Sequence, residues 1–170
     1  MRRVSPPVTA RFTYPVRVHM AVDGVTITCP DVPELITEGP TRAEALAQAS
    51  DGLATALSFY IDDGRPIPRP GKVGRHPIVS VTLLEAAKLA LHEAMLDQRI
   101  TNVELAHRLG LDERAVRRLR DLLHRSHIDS VEKALEAVGR RLDAVVSRQP
   151  HPRDQGRRRP RLRAAALKIS

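Results

Sequence analysis

The chain has 170 residues, 42% of them hydrophobic, with 28 lysines and arginines against 20 aspartates and glutamates. This apolar content is enough for a packed core, which excludes a wholly disordered chain. The single cysteine excludes both an intramolecular disulfide framework and a cysteine-rich zinc site. No apolar run approaches the ~18 residues of a spanning helix, so we expect a cytoplasmic protein that makes no membrane contact.

The net charge of +8 is concentrated towards the C-terminus. Residues 150–170 hold 7 basic residues and 1 acidic one, whereas residues 1–71 hold 7 and 8. All of the aromatic residues come before residue 61: Phe12, Tyr14, Phe59 and Tyr60. Proteins that bind single strands stack bases on aromatic rings, which the basic part of this chain lacks. Any nucleic acid that it binds is therefore expected to be a duplex, recognised through charge and groove hydrogen bonds.

Residues 11–29 predict a β-hairpin. Apolar and polar residues alternate on both sides of Asp23-Gly24, a dipeptide that favours a two-residue turn. Residues 35–37 can form a short third strand after Pro30 and Pro33 interrupt the pattern. One face of the first strand is expected to carry Val16, Val18 and Met20.

A helix is predicted from Thr41 to about residue 62. Thr41 and Glu44 have the spacing of a capping box, and Asp62-Asp63-Gly64 is a helix-ending sequence. The proline-rich residues that follow predict an extended connector, and residues 77–83 a fourth strand. From Leu83 onwards the pattern is helical, with a last helix predicted over Ser130–Leu142.

Residues 101–120 predict a helix-turn-helix. The pattern requires a small residue in the first helix, a glycine in the turn, an apolar residue after it and a β-branched residue in the second helix. Asp112 is a suitable N-cap for the second helix. The four required positions are occupied by Ala106, Gly110, Leu111 and Val116.

The second helix of this pair has two faces. Val116, Leu119 and Leu123 are expected to face the core. The opposite face carries charged side chains suited to guanine edges and phosphates, which predicts contact with the major groove of DNA. The alternative is a charged face that is simply exposed to solvent. Arg120 lies nearer the flank, as a phosphate contact or ordinary surface. The predicted DNA-binding residues are Glu113, Arg114, Arg117, Arg118 and, at the start of the first helix, Asn102.

Among the remaining polar residues no pattern indicates a metal site, a cofactor or a catalytic residue, so we expect none of these. His124 and His127 are three residues apart, but no cysteine or carboxylate accompanies them in a ligand spacing. Residues 148–170 form a basic tail that we expect to be disordered when free. It either adds phosphate contacts or remains a solvated end.

Several short sequences in a fixed order resemble the HicB antitoxin family over about residues 12–145. Tyr14-Pro15 and Asp23-Gly24 are followed by Pro30-Asp31-Val32-Pro33 and then by Ile61 to Pro68. Residues 104–110 and 133–139 continue the resemblance. The chain departs from the family pattern at Glu34-Leu35, where Gly-Cys is frequent, and at Arg117-Arg118, where Ser-Arg is commoner.

The resemblance implies an α+β, non-enzymatic type II antitoxin. Residues 1–82, with a proline-rich connector at about 65–77, would form a truncated ribonuclease H-like βββαβ domain that neutralises a HicA-type toxin, an mRNA-cleaving ribonuclease. Residues 83–147 would form an all-α helix-turn-helix domain that binds operator DNA and represses the operon as a homo-oligomer, a dimer or a dimer of dimers. The candidate toxin-binding residues are Asp31, Glu34, Glu38, Asp62 and Asp63.

Two other functions share features of this sequence. An orphan transcription regulator would use the same helices without a toxin, and the sequence does not separate it from an antitoxin. A ribonuclease H-like nuclease needs carboxylates converging on divalent metals. No carboxylate lies in the middle of a predicted strand, which disfavours the nuclease.

Overall fold

The computed structural model of the protein describes residues 11–143, which form a mixed α+β fold with two small sheets and five helices. The basic tail and residues 144–147 lie outside the described part of the chain. In chain order the elements are β1 Thr13–Pro15, β2 Arg17–Met20, β3 Val25–Thr28, β4 Ile36–Gly39, α1 Arg42–Asp62, β5 Ile78–Ser80, α2 Leu83–Gln98, α3 Asn102–Leu109, α4 Glu113–Arg120 and α5 Ile128–Ala137.

The predicted first strand is divided between two sheets. β1 pairs antiparallel with β5, whereas β2 joins the antiparallel sheet β2-β3-β4. Pro15, the last residue of β1, has no N–H to donate, so one continuous ladder is interrupted there. The Val16 N–H still donates to the Pro77 carbonyl at 2.9 Å.

The hairpin between β2 and β3 turns one residue earlier than predicted. The Ala21 N–H donates to the Gly24 carbonyl at 2.8 Å, so Val22 and Asp23 form the tip. The register that buries Val25 selects this turn. Met20 shares a sheet face with Val18 but is 71% exposed, because it ends the edge strand β2 beside the turn.

Helix α1 packs against β3 and β4 and begins at the predicted cap. The Glu44 N–H donates to the Thr41 hydroxyl at 3.2 Å, but that hydroxyl donates back to the Glu44 carboxylate at 3.0 Å. A reciprocal capping box is instead formed at the start of α2 by Thr82 and Glu85. The Thr82 N–H donates to Glu85 Oε2 at 2.7 Å, which fixes the entry into α2.

Three expectations in the C-terminal helices are wrong. Helix α4 ends at Arg120, so the chain turns, Leu122 is buried and Leu123 is 59% exposed. Leu111 lies in the turn after α3 and is 46% exposed, not an apolar plug. Helix α5 stops at Ala137, earlier than predicted, because the Arg140 N–H donates to the Leu135 carbonyl and closes the helix end.

Buried apolar residues form two clusters, and α2 contributes to both. The first core cluster joins the strands and α1 to Ala86 and Leu89 of α2. The second joins α3, α4 and α5 to other residues of the same helix, including Leu91 and Met95. Within residues 11–143, no helix has the length and apolar character needed to cross a membrane.

Candidate functional site

Helices α3 and α4 are present where they were predicted and both begin at a side-chain cap. The Thr101 hydroxyl accepts from the Glu104 N–H at 3.1 Å, and Asp112 Oδ1 accepts from the Ala115 N–H at 2.6 Å. Gly110 adopts φ 64° at the end of α3, which lets the chain reverse into α4 within three residues. The inner face of α4 is fixed by Val116, which is fully buried, and Leu119.

The outer face of α4 presents three exposed arginines, Arg114, Arg117 and Arg118. Glu113 is half-buried and its Oε1 lies 2.7 Å from Arg117 Nη2, an i,i+4 ion pair. Such an exposed pair contributes little stability and can be exchanged for a contact to a ligand. No carboxylate within residues 11–143 forms an ion pair with Arg114 or Arg118, so two guanidinium groups remain free to bind an anion.

An open groove borders this arginine face. Arg114, Arg117 and Arg118 line one side, while Ser58, Ile61 and Asp62 from the end of α1 line the other. Asp62, a predicted toxin contact, therefore lies close to the predicted DNA-binding face. The negative charge of the Asp62 carboxylate also stabilises the charged form of the Arg120 guanidinium.

Arg120 also lines this groove, but it is not the ordinary surface residue that its place in the sequence suggested, because its guanidinium is half-buried and bonded within the protein. Nη1 donates to Asn102 Oδ1 at 2.6 Å, and Nη2 lies 3.0 Å from His92 Nδ1. Burial of this guanidinium lowers the pKa of Arg120. Asn102, predicted to contact DNA, is half-buried with its carboxamide oxygen occupied by Arg120.

His92 was not singled out by the sequence, yet it is fully buried in α2. Its Nε2 lies 2.8 Å from the Arg65 carbonyl. Burial lowers the pKa of His92, and the Arg120 charge lowers it further, while the bond to the Arg65 carbonyl opposes both effects. A histidine at helical spacing within an apolar stripe was the signal available in the sequence.

Lys88, one turn before His92, is also fully buried and was also missed. Its ammonium donates to the carbonyls of Asp121 at 2.6 Å and His124 at 2.5 Å. Burial lowers the pKa of Lys88. The lysine thus anchors the segment that leaves α4, where backbone carbonyls have no helical partners.

Three of the predicted toxin-binding carboxylates, Asp31, Glu34 and Asp63, have partners within the protein. Asp31 accepts the Gly71 N–H at 2.9 Å and so holds the connector. Glu34 accepts the Tyr60 hydroxyl at 2.7 Å. Arg65 joins Glu34 to Asp63, with N–O distances of 3.6 and 3.0 Å.

Glu38 is the exception among these carboxylates. It is exposed on β4 and, with Thr26 and His19, lies on the sheet face opposite the one that carries Ile27. Its position leaves the carboxylate available to a partner protein. Of the five candidates, Asp62 is the other exposed carboxylate without an ion pair inside residues 11–143, and it lies on the groove beside α4.

Within residues 11–143, the histidines near the end of α4 are not joined by further ligand-type side chains. His124 Nδ1 lies 3.3 Å from the Ser126 hydroxyl. Across residues 11–143, no group of three or more histidine, cysteine, aspartate or glutamate side chains has an arrangement that could hold a metal ion.

Comparison with known proteins supplies the family. Residues 13–90 match the family described as HicB_like antitoxin of bacterial toxin-antitoxin system. Antitoxin HicB 1 of Photorhabdus laumondii is 42% identical over 134 residues, which cover 78% of this chain and 86% of that protein. Antitoxin HicB of Escherichia coli K12 is 38% identical over 135 residues, covering 78% and 98%. Antitoxin HicB of Pseudomonas fluorescens is 40% identical over 133 residues, covering 77% and 91%. The chain belongs to the HicB antitoxin family of toxin–antitoxin systems, whose members act on a toxin partner.

Proposed function

We propose that this antitoxin neutralises a HicA-type toxin ribonuclease and represses its own operon by binding the promoter, in the cytoplasm and without enzymatic activity of its own. In this proposal α3 and α4 act as a helix-turn-helix within residues 83–147. Residues 1–82 act as a truncated ribonuclease H-like domain that binds the toxin.

The DNA-binding part rests on one observation: Arg114 and Arg118 are exposed and unpaired within the described chain on a helix whose opposite face is buried. Guanidinium groups held in this way suit the bidentate contact to guanine O6 and N7. Glu113 and Arg117 can separate on binding, because their ion pair is exposed. A single unit of this size covers one half-site, so operator binding should require a dimer or a dimer of dimers.

The DNA contacts can be tested with a labelled duplex from the region upstream of the coding sequence. We expect Arg114→Ala and Arg118→Ala each to weaken binding at least about tenfold, the range for one lost bidentate contact. Arg42→Ala removes an exposed arginine at the start of α1 and should leave affinity unchanged. Equal affinity of the wild type and both α4 variants would refute the assignment of α4.

Toxin neutralisation is expected to work by covering a basic RNA-binding surface with the acidic side of the antitoxin. Glu38 is the best-placed of the candidate carboxylates, since it is exposed on the outer sheet face. Glu38→Arg should reduce inhibition of RNA cleavage by the toxin encoded beside this gene. Asp51→Arg makes the same charge change on an exposed part of α1 and serves as the control.

The two parts of the proposal fail separately. A protein that binds its upstream duplex but copurifies with no small ribonuclease when the neighbouring genes are expressed together would be an orphan regulator. A protein that inhibits the ribonuclease but does not bind the duplex would be an antitoxin without autorepression.

A further inference from the structure

A chain of three side-chain hydrogen bonds crosses the molecule behind the exposed face of α4. It begins at the carbonyl of Arg65, just after α1, passes through His92 in α2 and Arg120 at the end of α4, and ends at Asn102 in α3. The successive distances are 2.8, 3.0 and 2.6 Å. Four separate segments are therefore connected through one buried imidazole and one half-buried guanidinium.

The chemistry of the donors fixes the protonation of His92. A guanidinium offers only N–H donors, so His92 Nδ1 must accept from Arg120. The proton of the neutral ring is then on Nε2 and is donated to the Arg65 carbonyl. Only the neutral ring with this tautomer satisfies both neighbours, because a protonated ring has no acceptor for Arg120.

We propose that His92 and Arg120 are positioning residues for DNA binding, which hold α4 at a fixed orientation relative to α3 and α1 and release it when His92 is protonated. The inference rests on the proposed DNA binding of α4. Asn102 belongs to this arrangement as the end of the hydrogen-bond chain and acts on DNA through Arg120, not through a base.

The surroundings of His92 support a response to pH. The charges near its ring are the Arg120 guanidinium from α4 and, beyond it, the Asp62 carboxylate from α1, while Arg65 meets the ring through its backbone carbonyl. Burial and the Arg120 charge both lower the pKa of His92. A proton added to Nδ1 would face Arg120 across the present 3.0 Å contact, so acid separates the two groups.

The test compares His92→Gln, His92→Leu and wild type on the upstream duplex. A glutamine amide can accept from Arg120 and donate to the Arg65 carbonyl, but it does not titrate near neutrality. At about pH 7.5 the Gln variant should bind within about twofold of wild type and the Leu variant about tenfold more weakly, as for one lost hydrogen bond to a charged group. As the pH falls below 6.5, the ordinary pKa of histidine, the wild type should lose affinity relative to the Gln variant, because only its residue 92 titrates and burial lowers the pKa of His92.

His107→Gln is the matched control, since His107 is exposed on α3. Any general effect of pH on DNA binding acts on wild type and His92→Gln alike, so the ratio of their dissociation constants isolates residue 92. The ratio of the dissociation constants of wild type and His107→Gln should not show the pH dependence expected for wild type and His92→Gln.

Salt dependence distinguishes positioning from a phosphate contact. Removing a phosphate-contacting arginine lowers the slope of log affinity against log salt by about 0.9. Arg120→Met should weaken binding about tenfold with an unchanged slope, as for a lost charged hydrogen bond. Arg120→Lys should recover little of this loss, because one ammonium does not reproduce the two-sided contact to His92 and Asn102.

Each outcome has a separate meaning. Wild-type protein that fails to bind the duplex overturns the proposed DNA binding, and the positioning role with it. Wild-type binding together with equal affinity of His92→Leu, a pH-independent ratio for His92→Gln, or a reduced salt slope for Arg120→Met overturns the positioning role alone.

Discussion

The turn between α3 and α4 depends on Gly110, whose φ of 64° is in the left-handed region. A Cβ added there meets no atom within 4 Å, so Gly110→Ala introduces backbone strain but no steric overlap. The left-handed conformation costs an L-residue about 1–2 kcal/mol, and the stiffer unfolded chain returns about 0.4–1 kcal/mol. We therefore expect Gly110→Ala to lower the free energy of unfolding by about 1 kcal/mol.

Urea denaturation followed by far-ultraviolet circular dichroism measures this loss. Arg99 provides a comparison of opposite sign, since it ends α2 with φ 57° although it is not glycine. Arg99→Gly should raise the free energy of unfolding by about 0.5 kcal/mol, the strain released less the entropy added to the unfolded chain. An unchanged midpoint for Gly110→Ala would show that the turn does not use the left-handed conformation, and would refute the reasoning.

Three further changes should also be measurable by urea denaturation. Leu105→Ala removes a fully buried side chain from the second core cluster and should cost about 3 kcal/mol, whereas Val103→Ala, at a side chain 64% exposed, should change stability by less than about 0.5 kcal/mol. Thr82→Ala breaks the capping box of α2 and should cost about 1 kcal/mol. The free energy of unfolding should also fall as the pH drops below 6.5, the ordinary pKa of histidine. Unfolded His92 binds a proton there, whereas folded His92 has a lowered pKa. His92→Gln should make the free energy of unfolding less dependent on pH.

Local sequence signals predicted where several helices begin. Thr41 and Asp112 cap the helices that follow them as predicted, and Thr101, which was not predicted as a cap, does the same, because a side-chain oxygen needs only its own backbone three residues on. The helix-ending sequence at residues 62–64 likewise stops α1 where expected. These interactions are decided within a few residues of chain, so they can be read without knowing the fold.

Features that depend on distant partners were predicted less well. The division of the first strand follows from pairing of β1 with β5, more than 60 residues away in sequence. Leu123 was assigned to the core by continuing the helical period, but α4 ends three residues earlier and Leu122 is buried instead. Arg120 looked like part of a charged surface because nothing in its neighbourhood in the sequence shows that His92 lies beside it.

The same argument explains why both polar residues that the sequence missed lie on α2. Ala86 and Leu89 face the first core cluster, while Leu91 and Met95 face the second, so the helix is covered on two sides. Lys88 and His92 are one turn apart and fall between those two apolar faces. Both side chains are fully buried there and need hydrogen-bond partners from the protein. Each is satisfied by backbone carbonyls from the segments that meet at this boundary, at Asp121 and His124 for the lysine and at Arg65 for the histidine. Because a buried donor left without its partner costs more than an exposed one, these bonds favour one alignment of the two clusters over others that would bury the same apolar area.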